Sequence, residues 1–280
     1  MALIGVGYIG GSAALAARRA GGVGRVVGYD PEPRALQVGQ ERAVIDEAAP
    51  SPEAAVREAS FVLLAAPVRS LGRSAARIAS AVRPEATVVD VGSVKQTVMA
   101  EAQAALPGGQ FVGCHPLAGA EHVGVAAADA AIYPGRVCFV CPSPLSRVEA
   151  TAAAHAFWSS VGCQVIEISP AQHDELMAAV SHLPHVAAFA LAASLADSLP
   201  FLEGHAQAAT TSLRDTSRVA ASSPTVWRDI LLANREHLLP LMRRLAQRVE
   251  DLTSAVENSD AAALESVLAL GQSCRQRLVK

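Results

Sequence analysis

Short apolar runs alternate with amphipathic ones up to about residue 170 of the chain. Ala2–Val6, Arg25–Tyr29, Phe61–Ala65, Thr87–Val91, Phe111–Gly113, Arg136–Cys141 and Gln164–Ile168 read as strands. Between them, Ile9–Ala20, Pro33–Glu41, Leu71–Val82, Gln96–Leu106 and Ser146–Val161 carry apolar residues at helical spacing. The strand runs are continuously apolar. That pattern predicts a parallel sheet covered by helices on both faces. After Pro170 the strand pattern stops. Leu176–Leu199, Thr225–Glu257 and Asp260–Leu278 all show helical spacing, with Ala, Leu and Arg dominant. Two domains are expected, 1–169 and 170–280, with the boundary near Ser169–Pro170.

One helical run is long enough to raise the question of a membrane. Leu176–Ala196 has no Asp, Glu, Lys or Arg over 21 residues. It contains His182, Pro184 and His185, and reads instead as a helix buried on all sides inside a protein. No membrane partner is expected. The broad Leu/Ala faces of the helical half predict a twofold homodimer through that half. At 51% hydrophobic residues the chain can bury a core and is not disordered. Its 23 basic and 26 acidic residues leave no cationic surplus for nucleic acid. Five thinly spread cysteines fit a reducing, cytoplasmic compartment rather than a disulfide framework. Cys138 and Cys141 form a C-x-x-C, but on a strand that offset sets them on opposite faces. No metal site is expected.

Chemistry enters with Gly5-Val-Gly7-Tyr8-Ile9-Gly10-Gly11, directly after the first strand and opening the first helix. This is the G-x-G-x-x-G pattern in the context it requires. The first glycine permits a tight turn, the second lets the backbone approach a pyrophosphate, and the third lets helix and strand pack closely. The helix N-terminus supplies amides and dipole for the phosphates. Asp30, ending the second strand, is suited to the ribose hydroxyls of NAD and would repel the extra phosphate of NADP. Arg34, close by, is the feature that speaks for NADP. The expected fold is thus an α/β Rossmann-type N-terminal domain with a parallel-rich sheet, then an all-α C-terminal dimerisation domain. Gly5, Gly7, Tyr8, Ile9, Gly10 and Asp30 are the expected cofactor contacts.

Three further segments stand out: Asp90-Val-Gly-Ser93-Val-Lys95, Gly113-Cys-His115-Pro-Leu-Ala-Gly119-Ala-Glu121, and Ser181-His182-Leu-Pro-His185. The first two fall at the carboxyl ends of strands, where doubly wound sheets bind ligands. Together with the glycine loop, His173-Asp174, Arg214-Asp215-Thr-Ser-Arg218 and Trp227-Arg228-Asp229, they run in order along the chain. In this the sequence resembles the prephenate/arogenate (cyclohexadienyl) dehydrogenases of tyrosine biosynthesis, over roughly residues 2 to 250.

The resemblance implies NAD-dependent oxidative decarboxylation of prephenate, arogenate or both, giving 4-hydroxyphenylpyruvate or tyrosine. Substrate C4 gives a hydride to the nicotinamide, the C4 hydroxyl loses a proton, and the ring loses carbon dioxide and becomes aromatic. By the same resemblance His115 accepts the hydroxyl proton, for which an imidazole near pKa 6.5 is suited. Ser93 hydrogen-bonds near the hydroxyl and nicotinamide, and Arg218 binds a substrate carboxylate. His185 and Trp227 line the pocket. Glu121 and His173 are polar positions at its mouth, and Arg214 is a cation near the substrate side chain. His122, His155, His205 and His237 read as ordinary core or surface groups, while the role of His182 stays open.

One departure bears on the substrate. Where many members carry glycines before the Arg-Asp motif, this chain has Thr210-Thr211-Ser212-Leu213. Prephenate, arogenate and an amino-substituted prephenate stay open as substrates. No regulatory domain after the helices and no chorismate-mutase extension are expected. The β-hydroxyacid dehydrogenases share the architecture but use a lysine of the helical domain, and this chain has none between Lys95 and Lys280. A non-catalytic NAD-binding regulator is the alternative from another class. The presence of Ser93, His115, His185 and Arg218 speaks against it.

Overall fold

The computed structural model describes residues 1–119, 123–205, 207 and 210–278. Eight strands form one sheet in the order β3-β2-β1-β4-β5-β6-β7-β8. They are β1 (Ala2–Ile4), β2 (Val27–Tyr29), β3 (Glu47–Ala48), β4 (Phe61–Leu64), β5 (Thr87–Asp90), β6 (Phe111–Pro116), β7 (Val137–Cys141) and β8 (Gln164–Glu167). Helices α1 (Tyr8–Arg19), α2 (Pro33–Glu41), α3 (Pro52–Val56), α4 (Val68–Ile78), α5 (Gln96–Ala105) and α6 (Val148–Ser160) join them. Side chains alternate across the sheet. Leu3, Leu63, Val89 and Val112 enter one core layer, while Ala2, Ile4, Val62, Leu64 and Val88 enter the other. Cys138 and Cys141 fall into different layers in the same way.

The sheet is parallel from β3 to β6, but β7 runs antiparallel to β6, pairing His115 with Phe139. The expectation of a parallel sheet therefore fails at this pair. A parallel return needs a long crossover, usually a helix. Between β6 and β7 the described residues form only two three-residue 3₁₀ turns, Val125–Ala127 and Ala130–Ile132. β6 also runs three residues past the expected Gly113, so His115 sits on a strand.

From Pro170 the described chain is helical: α7 (Pro170–Met177), α8 (Leu183–Ser194), α9 (Leu199–Glu203), α10 (Thr211–Ser217), α11 (Pro224–Ala233), α12 (Arg235–Glu257) and α13 (Ala261–Leu278). A capping box at Ser169 and Gln172, with Pro170 in the first turn, starts α7. A wide π turn, Ala178–His182, links α7 to α8. Pro184, which has no N–H to donate, lies at the start of α8. The expected single helix Thr225–Glu257 is broken at Asn234, which joins α11 to α12. The run expected to be buried on all sides is not buried within one chain. Pro170–Glu203 is long and apolar enough to span a membrane by length and composition, yet Val180 is 56% exposed.

Six buried polar side chains, Asp90, Lys95, His173, Asp174, His182 and Asn234, gather where the helical half meets the strand ends. Burying that much polarity is unfavourable unless each group is paired. The site is built there.

Candidate active site

Gly5 follows β1 at φ +98°, and a Cβ there would lie 2.5 Å from the carbonyl oxygen of Ala65 beyond β4. Glycine alone suits both the conformation and the approach. Gly7 is the opposite case, since an added Cβ would meet nothing within 4 Å. Gly7 is also the N-cap of α1, and no side chain caps the amides that follow it. Open space against the backbone and a helix N-terminus without a side-chain cap are what a pyrophosphate requires. Asp30 follows β2. Its Oδ2 accepts from the Val6 N–H at 2.8 Å and its Oδ1 from the Glu32 N–H at 2.9 Å. Each oxygen keeps a lone pair for a ribose hydroxyl. The residues present fit a dinucleotide.

The cleft in front of this loop has a volume of about 420 Å³. Gly7, Tyr8, Ile9 and Ser93 line it from the sheet side, and Trp227 and Ile230 of α11 close it from the helical side. A cavity of about 900 Å³ lies beyond Val68 and Asp229, between α4, α5 and α11, and is lined by none of the expected site residues.

Ser93 and His115 sit at the carboxyl ends of neighbouring strands, β5 and β6. A buried ion pair fixes both ends. The Lys95 ammonium donates to Asp90 and, at 2.8 Å, to the Cys114 carbonyl. Asp90 in turn accepts from the Gly92 N–H at 2.8 Å and the Cys114 N–H at 2.9 Å. One residue beyond each held amide lie Ser93 and His115. Burial drives the His115 imidazole well below the usual histidine range, and His173, Lys95 and His182 push the same way. An ordinary pKa near 6.5, expected from sequence, is thereby corrected.

His173 is not at the pocket mouth as expected. It is fully buried behind His115, its Nε2 2.9 Å from His115 Nδ1 and its Nδ1 2.7 Å from Asp174 Oδ1. The sequence offers His173 as a polar group, but α7 packs its first turns against the sheet and takes the side chain inward. Burial lowers its pKa, against the pull of Asp174. Sequence reasoning assigned no role to Asp174, Asn234 or the Asp90–Lys95 pair.

The remaining residues spread outward. His185 stacks on Trp227, ring centroids 3.5 Å apart, and donates from Nδ1 to the Ser181 carbonyl at 2.9 Å. Burial, and then the charge of Arg218, lower its pKa. Arg214 is exposed in the last turn of α10, outside the lining of the cleft. Thr210, in the stretch that departs from the glycine pattern, caps α10 by accepting from the Leu213 N–H at 3.3 Å. Glu121 and His122 lie outside the described residues.

Residues 13–167 match the family model for the prephenate dehydrogenase nucleotide-binding domain, and residues 169–270 match that for the prephenate dehydrogenase dimerization domain. The chain belongs to the prephenate dehydrogenase family. A cyclohexadienyl dehydrogenase of Zymomonas mobilis is 34% identical to it over 93% of this chain and 89% of that relative. A prephenate dehydrogenase of Bacillus subtilis is 33% identical over 92% of this chain and 70% of the relative. The crystal structure of Aquifex aeolicus prephenate dehydrogenase in complex with hydroxyphenyl propionate and NAD+ matches with a TM-score of 0.85 at 30% identity, covering 99% of this chain and 97% of that one. For a member of the prephenate dehydrogenase family, a glycine loop, Ser93 and a helical wall around one cleft form a coherent set, with His115 on the neighbouring strand rather than in the lining of the cleft.

Proposed function

We propose that this chain catalyses the NAD-dependent oxidative decarboxylation of prephenate, of arogenate, or of both. The observation that carries the reading is the burial-neutralised His115 beside Ser93, at strand ends next to a cleft fitted for a dinucleotide. NAD would supply the hydride acceptor for substrate C4. Gly5, Gly7, Tyr8, Ile9 and Gly10 would hold its pyrophosphate, Asp30 its ribose, and Ser93 would face its nicotinamide. His115 takes the proton of the C4 hydroxyl. A neutral imidazole is the competent form for this step, and burial keeps it so at working pH. Ser93 orients the hydroxyl, and Arg218 offers a planar fork to a carboxylate. His185 and Trp227, stacked as one slab, shape the pocket wall. Arg214, which lies outside the lining of the cleft, and Glu121 are carried in this reading on the family resemblance alone. His173 makes no substrate contact, since it is sealed behind His115.

The chain works as a homodimer through its helical half, the part that matches the dimerization domain. Exposed apolar side chains on α7–α9, among them Val180, Leu199 and Phe201, support this. The reading puts the enzyme in the cytoplasm, in keeping with five free cysteines, four of them buried.

The test is to mix the protein with NAD and, separately, with prephenate and arogenate. Reduced cofactor is followed by near-ultraviolet absorbance and product by chromatography. Fast reduction with one of them is expected and fixes the side-chain preference. No reduction with either, in NAD or NADP, would overturn the reading and favour an amino-substituted prephenate.

A further inference from the structure

We infer that Asp174 is a positioning residue that sets the tautomers of two histidines in opposite senses: His115 to accept a proton at Nε2, and His182 to donate one from Nε2. The inference rests on the reading of His115 as the proton acceptor. It follows from groups whose hydrogen-bonding sense cannot change. A carboxylate only accepts, and a backbone N–H only donates. Asp174 Oδ1 accepts from the Lys95 N–H at 2.7 Å, and Oδ2 from the Gln96 N–H at 2.9 Å. The carboxylate is thereby anchored at the start of α5. Its remaining contact, His173 Nδ1 at 2.7 Å, must carry a hydrogen. A neutral His173 then has a bare Nε2. Across 2.9 Å, His115 Nδ1 must donate to it. His115 is left with its lone pair on Nε2, the form a base needs.

The backbone of Asp174 sets the second ring. Its carbonyl oxygen accepts from Asn234 Nδ2 at 2.8 Å, which orients the amide. The same Nδ2 lies 3.0 Å from His182 Nδ1, which must therefore accept. The His182 hydrogen is on Nε2. That nitrogen is buried and has no hydrogen-bond partner among the described residues. An unpaired donor in the interior is costly, so a persisting one is best explained by a ligand that satisfies it. His182 also sits edge-on to Trp227, ring centroids 6.0 Å apart, and close enough to His115 to depress its pKa.

The two halves of the chain share this arrangement. His115 and the capped amides belong to the sheet side. His173, Asp174, His182 and Asn234 belong to α7, the π turn and the α11–α12 junction. The tautomer of the base is thus fixed only when the helical half is seated.

Neutron diffraction from crystals of the full chain with NAD bound locates the ring deuterons directly. Deuterons on Nδ1 of His115 and His173 and on Nε2 of His182 are expected. A deuteron on His115 Nε2 with Nδ1 bare, or on His182 Nδ1, would overturn the inference. Kinetics provide the second arm. His173→Phe should lower kcat by about 10²–10⁴-fold, the range for a misdirected general base, with NAD affinity and substrate KM little changed. His173→Gln, whose amide oxygen can still accept from His115 Nδ1, should restore kcat to within about tenfold. Equal losses in both variants would mean a merely structural role. Should a variant fail to fold, the deuteron positions decide alone. Undiminished kcat in His115→Asn would remove His115 as the base while leaving the tautomer result standing, so the two readings fail separately.

Discussion

Burial, reinforced by His173, Lys95 and His182, keeps the His115 imidazole neutral well below pH 6.5. In the proposed mechanism the neutral ring is the active form. Activity is therefore lost only when the pH falls through the lowered pKa, not through the ordinary one. The acid limb of kcat/KM, which reports groups of the free enzyme, should lie below pH 6.5, with a plateau from there to pH 8. A limb centred at or above 6.5 would mean that His115 is not the titrating group. At this scale the sequence was informative where a motif fixes context. The strand-end positions of Ser93 and His115 were legible in the sequence, whereas the roles proposed for them came through the family resemblance. His173 was legible as a polar residue but not as a buried one. Asn234 carried no signal, because its importance comes from a carbonyl 60 residues earlier in the chain.

Among the elements, α1 lies too close to the sheet to take a side chain at Gly10. A Cβ on Gly10 would fall 2.6 Å from Ala65 Cβ, 2.8 Å from the Gly5 oxygen and 2.9 Å from Leu3 Cδ1. Alanine is the better helix former, but contacts this short push α1 off β1 and β4. Gly10→Ala should cost about 1–3 kcal/mol by urea unfolding, as overpacking does, and weaken NAD binding. An unchanged midpoint would show that α1 can shift without penalty. Most strands and helices fall within a few residues of the hydrophobic pattern, because each is an apolar run bounded by Gly, Pro or charge. The pattern fails where another force decides. β3 is two residues long and α3 is five, too short for periodicity to register. The direction of β7 depends on the link before it, and the break at Asn234 on a tertiary hydrogen bond.

For the whole molecule, the decisive quantity is apolar surface. Leu176, Val180, Leu199, Phe201 and Leu239 are all exposed in one chain. Single exposed leucines are ordinary, but a long apolar helical run with only 22% of its apolar window buried is not. Light scattering should give twice the chain mass of 28.9 kDa at micromolar concentration. Monomer alone would remove the dimer. The two-part plan was legible in the change of period after Pro170, whereas the mutual locking of the parts was not, since it depends on contacts between distant residues. One consequence of the Asp90–Lys95 pair is practical. Of the two lysines, Lys95 is fully buried and ion-paired, so amine-directed coupling of the folded protein leaves its reaction centre unmodified. Tethering to a surface or attaching a dye by ordinary amine chemistry then spares that pair.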